Sequence, residues 1–176
     1  MTITYRVQKE DFLAVLLFNA SNSKRIQKRK LYAWILISIG FATAAFIFYR
    51  RDDNFLTITY GIVALVTALF YPTYFNNRYK RHYTKHVDES YANRFGREET
   101  LEIQSEAILF KNSIAEGSMK INAITKVDET AQHFFVRVSS GETLGIPKKE
   151  LTTIEALREK FKSLGIPVYD KTNWKW

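Results

Sequence analysis

The stretch "FYRRDDNFL", residues 48–56, decides how this chain folds. Its five central polar residues, 50–54, separate two long runs that carry no Asp, Glu, Lys, Arg or His. Before them stands "LYAWILISIGFATAAFIFY", residues 31–49, and after them "FLTITYGIVALVTALFYPTYF", residues 55–75. As helices, each reaches about 28–32 Å, close to the thickness of a bilayer's hydrocarbon core. Neither shows the 3.6-residue alternation of a helix with one wet face. Two uniformly apolar helices buried in a soluble fold would need more wrapping than a chain of 176 residues leaves. The two runs therefore read as an antiparallel transmembrane hairpin, 31–49 and 55–75, with residues 50–54 as its tip. Aromatic residues gather at the ends of the runs, Tyr32, Trp34, Phe48 and Tyr49, then Phe55, Tyr71, Tyr74 and Phe75, where amphipathic rings suit headgroup depth.

The net charge of +8 would fit a nucleic-acid binder if it lay on a folded recognition surface. It does not. Residues 1–96 hold 14 Lys and Arg against 6 Asp and Glu, whereas residues 97–176 hold 12 of each. The excess clusters in two collars, Lys24, Arg25, Lys28, Arg29 and Lys30 before the first run and Arg78, Lys80, Arg81 and Lys85 after the second. These collars are read as lipid-headgroup contacts that set topology, and nucleic acid is set aside as a partner. Because Lys and Arg favour the cytoplasmic side, both termini are expected there, and the charge-balanced tip outside.

Small residues at fourfold spacing mark the expected packing face: Ser38, Gly40, Ala42, Ala44 and Ala45 on the first helix, Gly61, Ala64 and Ala68 on the second. Neither run contains an acid, base or histidine to mark an ion path or proton relay, which argues against a channel or transporter monomer. The chain has no cysteine, which excludes disulfides and thiolate chemistry. Its first residues also lack the basic-then-apolar order of a secretory signal.

Residues 1–30 read as a short strand, "TITYRV", and a helix along the membrane surface with Phe12, Val15, Leu16 and Asn19 on one face. Residues 76–96 read as a basic helical linker; His82 and His86, four apart in it, read as part of a solvated face rather than a metal site. From residue 97 the pattern changes to six short strands, "ETLEIQ", "AILFKN", "GSMKIN", "ITKVDET", "HFFVRVS" and "ETLGIPK". Turn residues stand between them, among them Asn112-Ser113. A closing helix follows, capped by Thr152 or Thr153, with Ile154, Leu157 and Phe161 inward and Gly165 as terminator. Six antiparallel strands of this length are expected to curl into a half-open barrel with that helix over its open side.

The strand "INAITKVDET" and the segment "GIPKKEL", set in this order of strand, helix, hairpin, strands and final helix, are similar to the YcxB-like family of bacterial membrane proteins. Where that family carries a tryptophan–isoleucine pair, this chain has Asn122-Ala123-Ile124. The resemblance implies a membrane protein of the α+β class whose residues 97–176 form a pleckstrin-homology-like (PH-like) domain. It implies the bacterial inner membrane as the location, and it transfers no catalytic residue.

A search for chemistry agrees. Serines lack a nucleophile-elbow pattern, Gly141 and Gly145 do not make a phosphate loop, and His133 beside Phe134 and Phe135 reads as structural. The candidate partner contacts are Lys148 and Lys149, which suit a phosphate headgroup, and the tail residues Trp174 and Trp176, for which folding back on the domain is the simplest role. The expectation is a membrane-anchored binding module with no enzymatic activity and no cofactor. It would use membrane lipids and a protein partner, and it is compatible with homo-oligomers. The alternative is an immunity protein that neutralises a membrane-acting toxin, with the hairpin or its tip as the contact surface.

Overall fold

The computed structural model describes residues 1–112, 115–151 and 153–176. Ser113 of one expected turn and Thr152 as a helix cap lie outside the described residues. Among the described residues the order is β1 (Thr2–Val7), α1 (Lys9–Asn22), α2 (Lys24–Tyr49), α3 (Asn54–Ser90), β2 (Arg97–Ile103), β3 (Ala107–Asn112), β4 (Glu116–Lys120), β5 (Ile124–Glu129), β6 (His133–Val138), β7 (Thr143–Pro147), α4 (Ile154–Ser163) and β8 (Val168–Asp170). The chain divides into two compact units, one of Met1–Asn19 with Tyr83–Trp176 and one of Ala20–His82.

In the first unit, all six expected strands form, in two sheets ordered β1-β2-β3-β4 and β7-β6-β5-β8. The N-terminal strand joins those that follow the hairpin: β1 runs antiparallel to β2, from Thr2 opposite Glu102 to Val7 opposite Arg97. The expectation of a wholly antiparallel arrangement needs one correction. After Gly165, whose φ of +73° ends the α4 turn, the chain runs back as β8 and pairs parallel to β5. Residues "VYD" are too few to announce a strand by alternation.

Period-two patterning builds the core. Tyr5 and Val7, then Leu101 and Ile103, are buried on one face of the first sheet; Val127, Phe134, Val136 and Ile146 come from the second. Leu157 and Phe161, one turn apart on α4, close it. The run "HFFV" is buried on both faces, for a visible reason. Phe134 faces the core near Phe161, at 6.3 Å between ring centroids, while Phe135 stacks at 4.2 Å on Phe18 of α1. Helix α1, read from sequence as an interfacial helix, thus lies on the outer face of the second sheet. Gly145 on β7 makes this approach close, because a Cβ there would overlap Val15.

In the second unit, Ser23 separates α1 from α2 and its Oγ accepts the Ile26 N–H at 3.4 Å. Helices α2 and α3 are both long and apolar enough to cross a membrane. Their apolar side chains are not core: Leu36 is 75% exposed and Phe55 77%. A helix buried in a soluble fold would hide such residues. The tip is a tight turn in which Arg51 and Asp53 N–H both donate to Phe48 O, and Asp52 takes a φ of +58°. Asp53 then starts α3, accepting the Leu56 N–H on its Oδ1 at 3.0 Å. An aspartate there satisfies an orphan donor and meets the positive end of the helix dipole.

Candidate functional site

Two contiguous acids on β5 and one on α1 organise the polar interior of the first unit. Glu129 receives a two-pronged bond from Arg158 of α4, with both distances 2.7 Å, and a 2.6 Å bond from Lys148. The Arg158 bonds, with Lys148, outweigh burial and hold the Glu129 carboxyl down at about 2. Asp128 faces Lys126 at 3.1 Å and Arg137 at 3.0 Å, and Arg137 also lies over the Phe18 ring. Asp11 on α1 meets His133 Nε2 at 2.9 Å, Lys149 Nζ at 3.2 Å and the Gln8 N–H at 2.7 Å. Burial pushes the Asp11 carboxyl up, but bonds from His133, Gln8 and Lys149 overcome it, and the group stays ionised. His133 Nε2 then carries the proton it shares with Asp11. These acids tie α1, α4 and the turn Lys148–Glu150 to the second sheet. Each is held by cations of the same chain, which is the arrangement of a structural cross-link rather than of a general acid or base.

This geometry changes how the partner-contact candidates read. Lys148 is 10% exposed, bonded to Glu129 and set 4.8 Å over the Phe134 ring. Lys149 is half-exposed and bonded to Asp11. Trp174 sits edge-on to Phe18 and Phe135, at 5.2 and 6.2 Å, so this tail residue folds back on the unit, and Trp176 is half-buried. His133 stacks on Phe135. Among the described residues no group of three or more His, Asp or Glu is placed to hold a metal ion.

What the first unit offers outward is a groove of about 760 Å³ beside β4, the terminal strand of its sheet. Ile121, Ile124 and Ile166 make apolar lining; Ser118, Asn122 and the opposed charges of Glu106 and Lys120 make the polar part. The groove thus carries balanced charge over an apolar lining.

In the second unit, Lys24, Arg25, Lys28, Arg29 and Lys30 occupy the first turns of α2, and Arg78, Lys80 and Arg81 follow the apolar run of α3; Lys85, further along α3, belongs to the first unit. All except the half-buried Lys30 are exposed; Lys30 donates to Asn76 at 2.8 Å. Ser38, Ala44, Ala45, Ala64 and Ala68 are partly covered, whereas Gly40, Ala42 and Gly61 are exposed. A Cβ added at Gly40 or Gly61 would enter open space, so these glycines do not mediate a close helix approach within this chain. Larger residues of α2 seven apart, Trp34, Phe41 and Phe48, contribute to the contact face. Tyr60 stacks on Phe48 at 5.3 Å and lies 6.5 Å from Phe41, and Trp34 reaches Ala68 O. Ser38, Ala44, Ala45, Ala64 and Ala68 are covered alongside these larger residues, and Ala68 is itself a contact.

The fold is thus a two-sheet α+β unit with a closing helix, joined to two helices long and apolar enough to span a membrane. A family model, YcxB-like protein, matches residues 103–164, from the end of β2 through α4, in agreement with the resemblance carried by "INAITKVDET" and "GIPKKEL". No curated protein and no solved structure matches the chain.

Proposed function

We propose that this protein is a non-enzymatic binding module anchored in the bacterial inner membrane, with both termini and the first unit in the cytoplasm. The first unit is read as a PH-like half-barrel: a four-stranded sheet, three further antiparallel strands and a C-terminal helix follow that order, with the hairpin inserted between β1 and β2. The observation that carries the reading is the β1–β2 pairing across this insertion. The chain leaves a folded unit, forms two apolar helices and returns to the same unit. This supports two crossings with both ends on one side, and the basic collars favour the cytoplasm as that side. The groove beside β4 supports a protein segment as the partner, since the cations nearest the β5 acids are committed to internal pairs.

Site-specific photo-cross-linking in intact cells tests it. A photoreactive residue replacing Lys120, at the groove, is expected to give a discrete protein adduct, and one replacing Asn54 at the tip to give none. The reverse result overturns the module and favours the immunity reading, in which tip or hairpin meets a toxin. Labelling of a single introduced cysteine at Asn54 from outside the cell checks the orientation, without interference because the chain has none of its own.

A further inference from the structure

Resting on the reading of α2 and α3 as a membrane hairpin, we infer that the groove between them at their basic ends is a binding site for one anionic phospholipid, with its phosphate held between Arg29 and Arg78. The groove has a volume of about 420 Å³ and is lined from both helices. Arg29 and Ala33 come from α2; Tyr71, Tyr74, Arg78 and Tyr79 come from α3. Its position along the chain is what selects an amphiphile. Ala33 lies just inside the first apolar run and Tyr71 near the end of the second, while Arg29 and Arg78 lie just outside them. One end of the groove is therefore cationic and the other faces hydrocarbon depth.

The lining fits the two halves of such a ligand. Arg29 and Arg78 are exposed, one on each helix, and a guanidinium can donate two parallel bonds to phosphate oxygens. Arg78 Nη1 donates to the Tyr74 hydroxyl at 3.3 Å, which aims the cation back toward the apolar end. Phe75, 8% exposed, anchors an aromatic wall: Tyr79 stacks on it at 4.4 Å and Tyr71 lies at 6.2 Å. Opposite that wall, Ala33 is small enough to leave room for a glycerol backbone and the start of an acyl chain. A zwitterionic lipid would bring an ammonium next to two guanidiniums, so the site discriminates by charge as well as by shape. A free phosphate ion would satisfy the arginines but leave the apolar end unused.

Native mass spectrometry of the purified full chain tests this, using dodecyl maltoside micelles doped with equal amounts of phosphatidylglycerol and phosphatidylcholine of the same acyl chains. The wild type is expected to retain one phosphatidylglycerol in preference, and Arg29→Gln with Arg78→Gln to reduce that preference about tenfold. Lys80→Gln with Arg81→Gln removes the same charge from outside the groove and is expected to change it by less than about twofold. Tyr74→Phe, a milder change, is expected to weaken retention by a few-fold. Equal loss in the two double variants, absence of any preference in the wild type, or displacement of the lipid by millimolar inorganic phosphate would each overturn the site. Carbonate extraction of membranes separates this from the anchor. If the wild type stays in the pellet but shows no lipid preference, only the site falls; if it is extracted, the hairpin falls and the site with it.

Discussion

The indole N–H of Trp34 donates to the backbone carbonyl of Ala68 across 3.0 Å, joining α2 to α3. Ala68 stands four residues before Pro72, which has no N–H to donate and leaves that carbonyl without its helical partner. On the proposed membrane reading of α2 and α3 an unpaired carbonyl there is costly, and the tryptophan repairs what the proline removes. Replacing Trp34 by Phe keeps most of the ring and deletes the donor. We expect a loss of about 1 kcal/mol, read by unfolding of the full chain in mixed micelles. In a Pro72→Ala background the restored N–H satisfies Ala68, and the same substitution should cost much less. Additive effects of the two changes would disprove the coupling.

Glu129 sets the second prediction. Its carboxylate holds Arg158 and the nearly buried Lys148, and its backbone oxygen accepts the Lys171 N–H at 2.7 Å. Glu129→Gln keeps the shape and removes the charge, leaving Lys148 without its counter-ion. The expected loss is about 3 kcal/mol in urea unfolding, at the low end for a broken buried pair because Arg158 is partly solvated. Glu159→Gln, which breaks an exposed pair with Lys162, should leave the midpoint unchanged.

The same acids predict how stability depends on pH. The folded-state values of Glu129, about 2 against an ordinary 4.5, and of Asp11 are both depressed. Groups of this kind contribute fully above their unfolded values and lose that contribution as the pH falls toward the folded ones. Thermal midpoints of the full chain should therefore be flat from neutral pH to about 5 and fall steeply between about 4.5 and 2. Glu129→Gln should flatten that limb. A variant with an unchanged acid limb would show that Glu129 is not its source.

Gly145 offers a steric test. Any Cβ at this β7 position meets the Val15 side chain of α1, which is branched and has little freedom to turn away. Gly145→Ala is expected to destabilise the chain by about 1–3 kcal/mol. Adding Val15→Ala should recover part of it by vacating the space. No recovery would mean that α1 does not sit against β7 at this point.

Much of this was legible in local pattern. The apolar runs marked α2 and α3, alternation marked the six strands after residue 97, and Leu157 and Phe161 marked the inward face of α4, because each signal repeats within a few residues. Pairing across long separations was not legible. Nothing near "TITYRV" says that its partner lies beyond two membrane-length helices, and "VYD" is too short for a periodic signal. The ion pairs were not legible: Asp128 and Glu129 follow Lys126 in a strand of mixed polarity, and of their partners Arg137 stands on the next strand while Arg158 comes from α4. On the helices, small-residue spacing picked out Ser38, Ala44, Ala45, Ala64 and Ala68, which are partly covered, but not Trp34, Phe48 and Tyr60 beside them, because large rings are as common on exposed apolar faces.

The pairing of Val7 with Arg97 also imposes an order on synthesis. At ordinary translation rates the 89 residues between them take roughly 4–18 s to make. Strand β1 therefore leaves the ribosome long before its neighbour exists, and it must wait as an unpaired edge while both hydrophobic helices are made. Closure of the first sheet is the first pairing across the hairpin to become available, and the parallel β5–β8 pairing follows it. A copy whose α2 and α3 fail to bring the chain back to β1 would keep a naked strand, and quality-control proteases would have that strand to recognise.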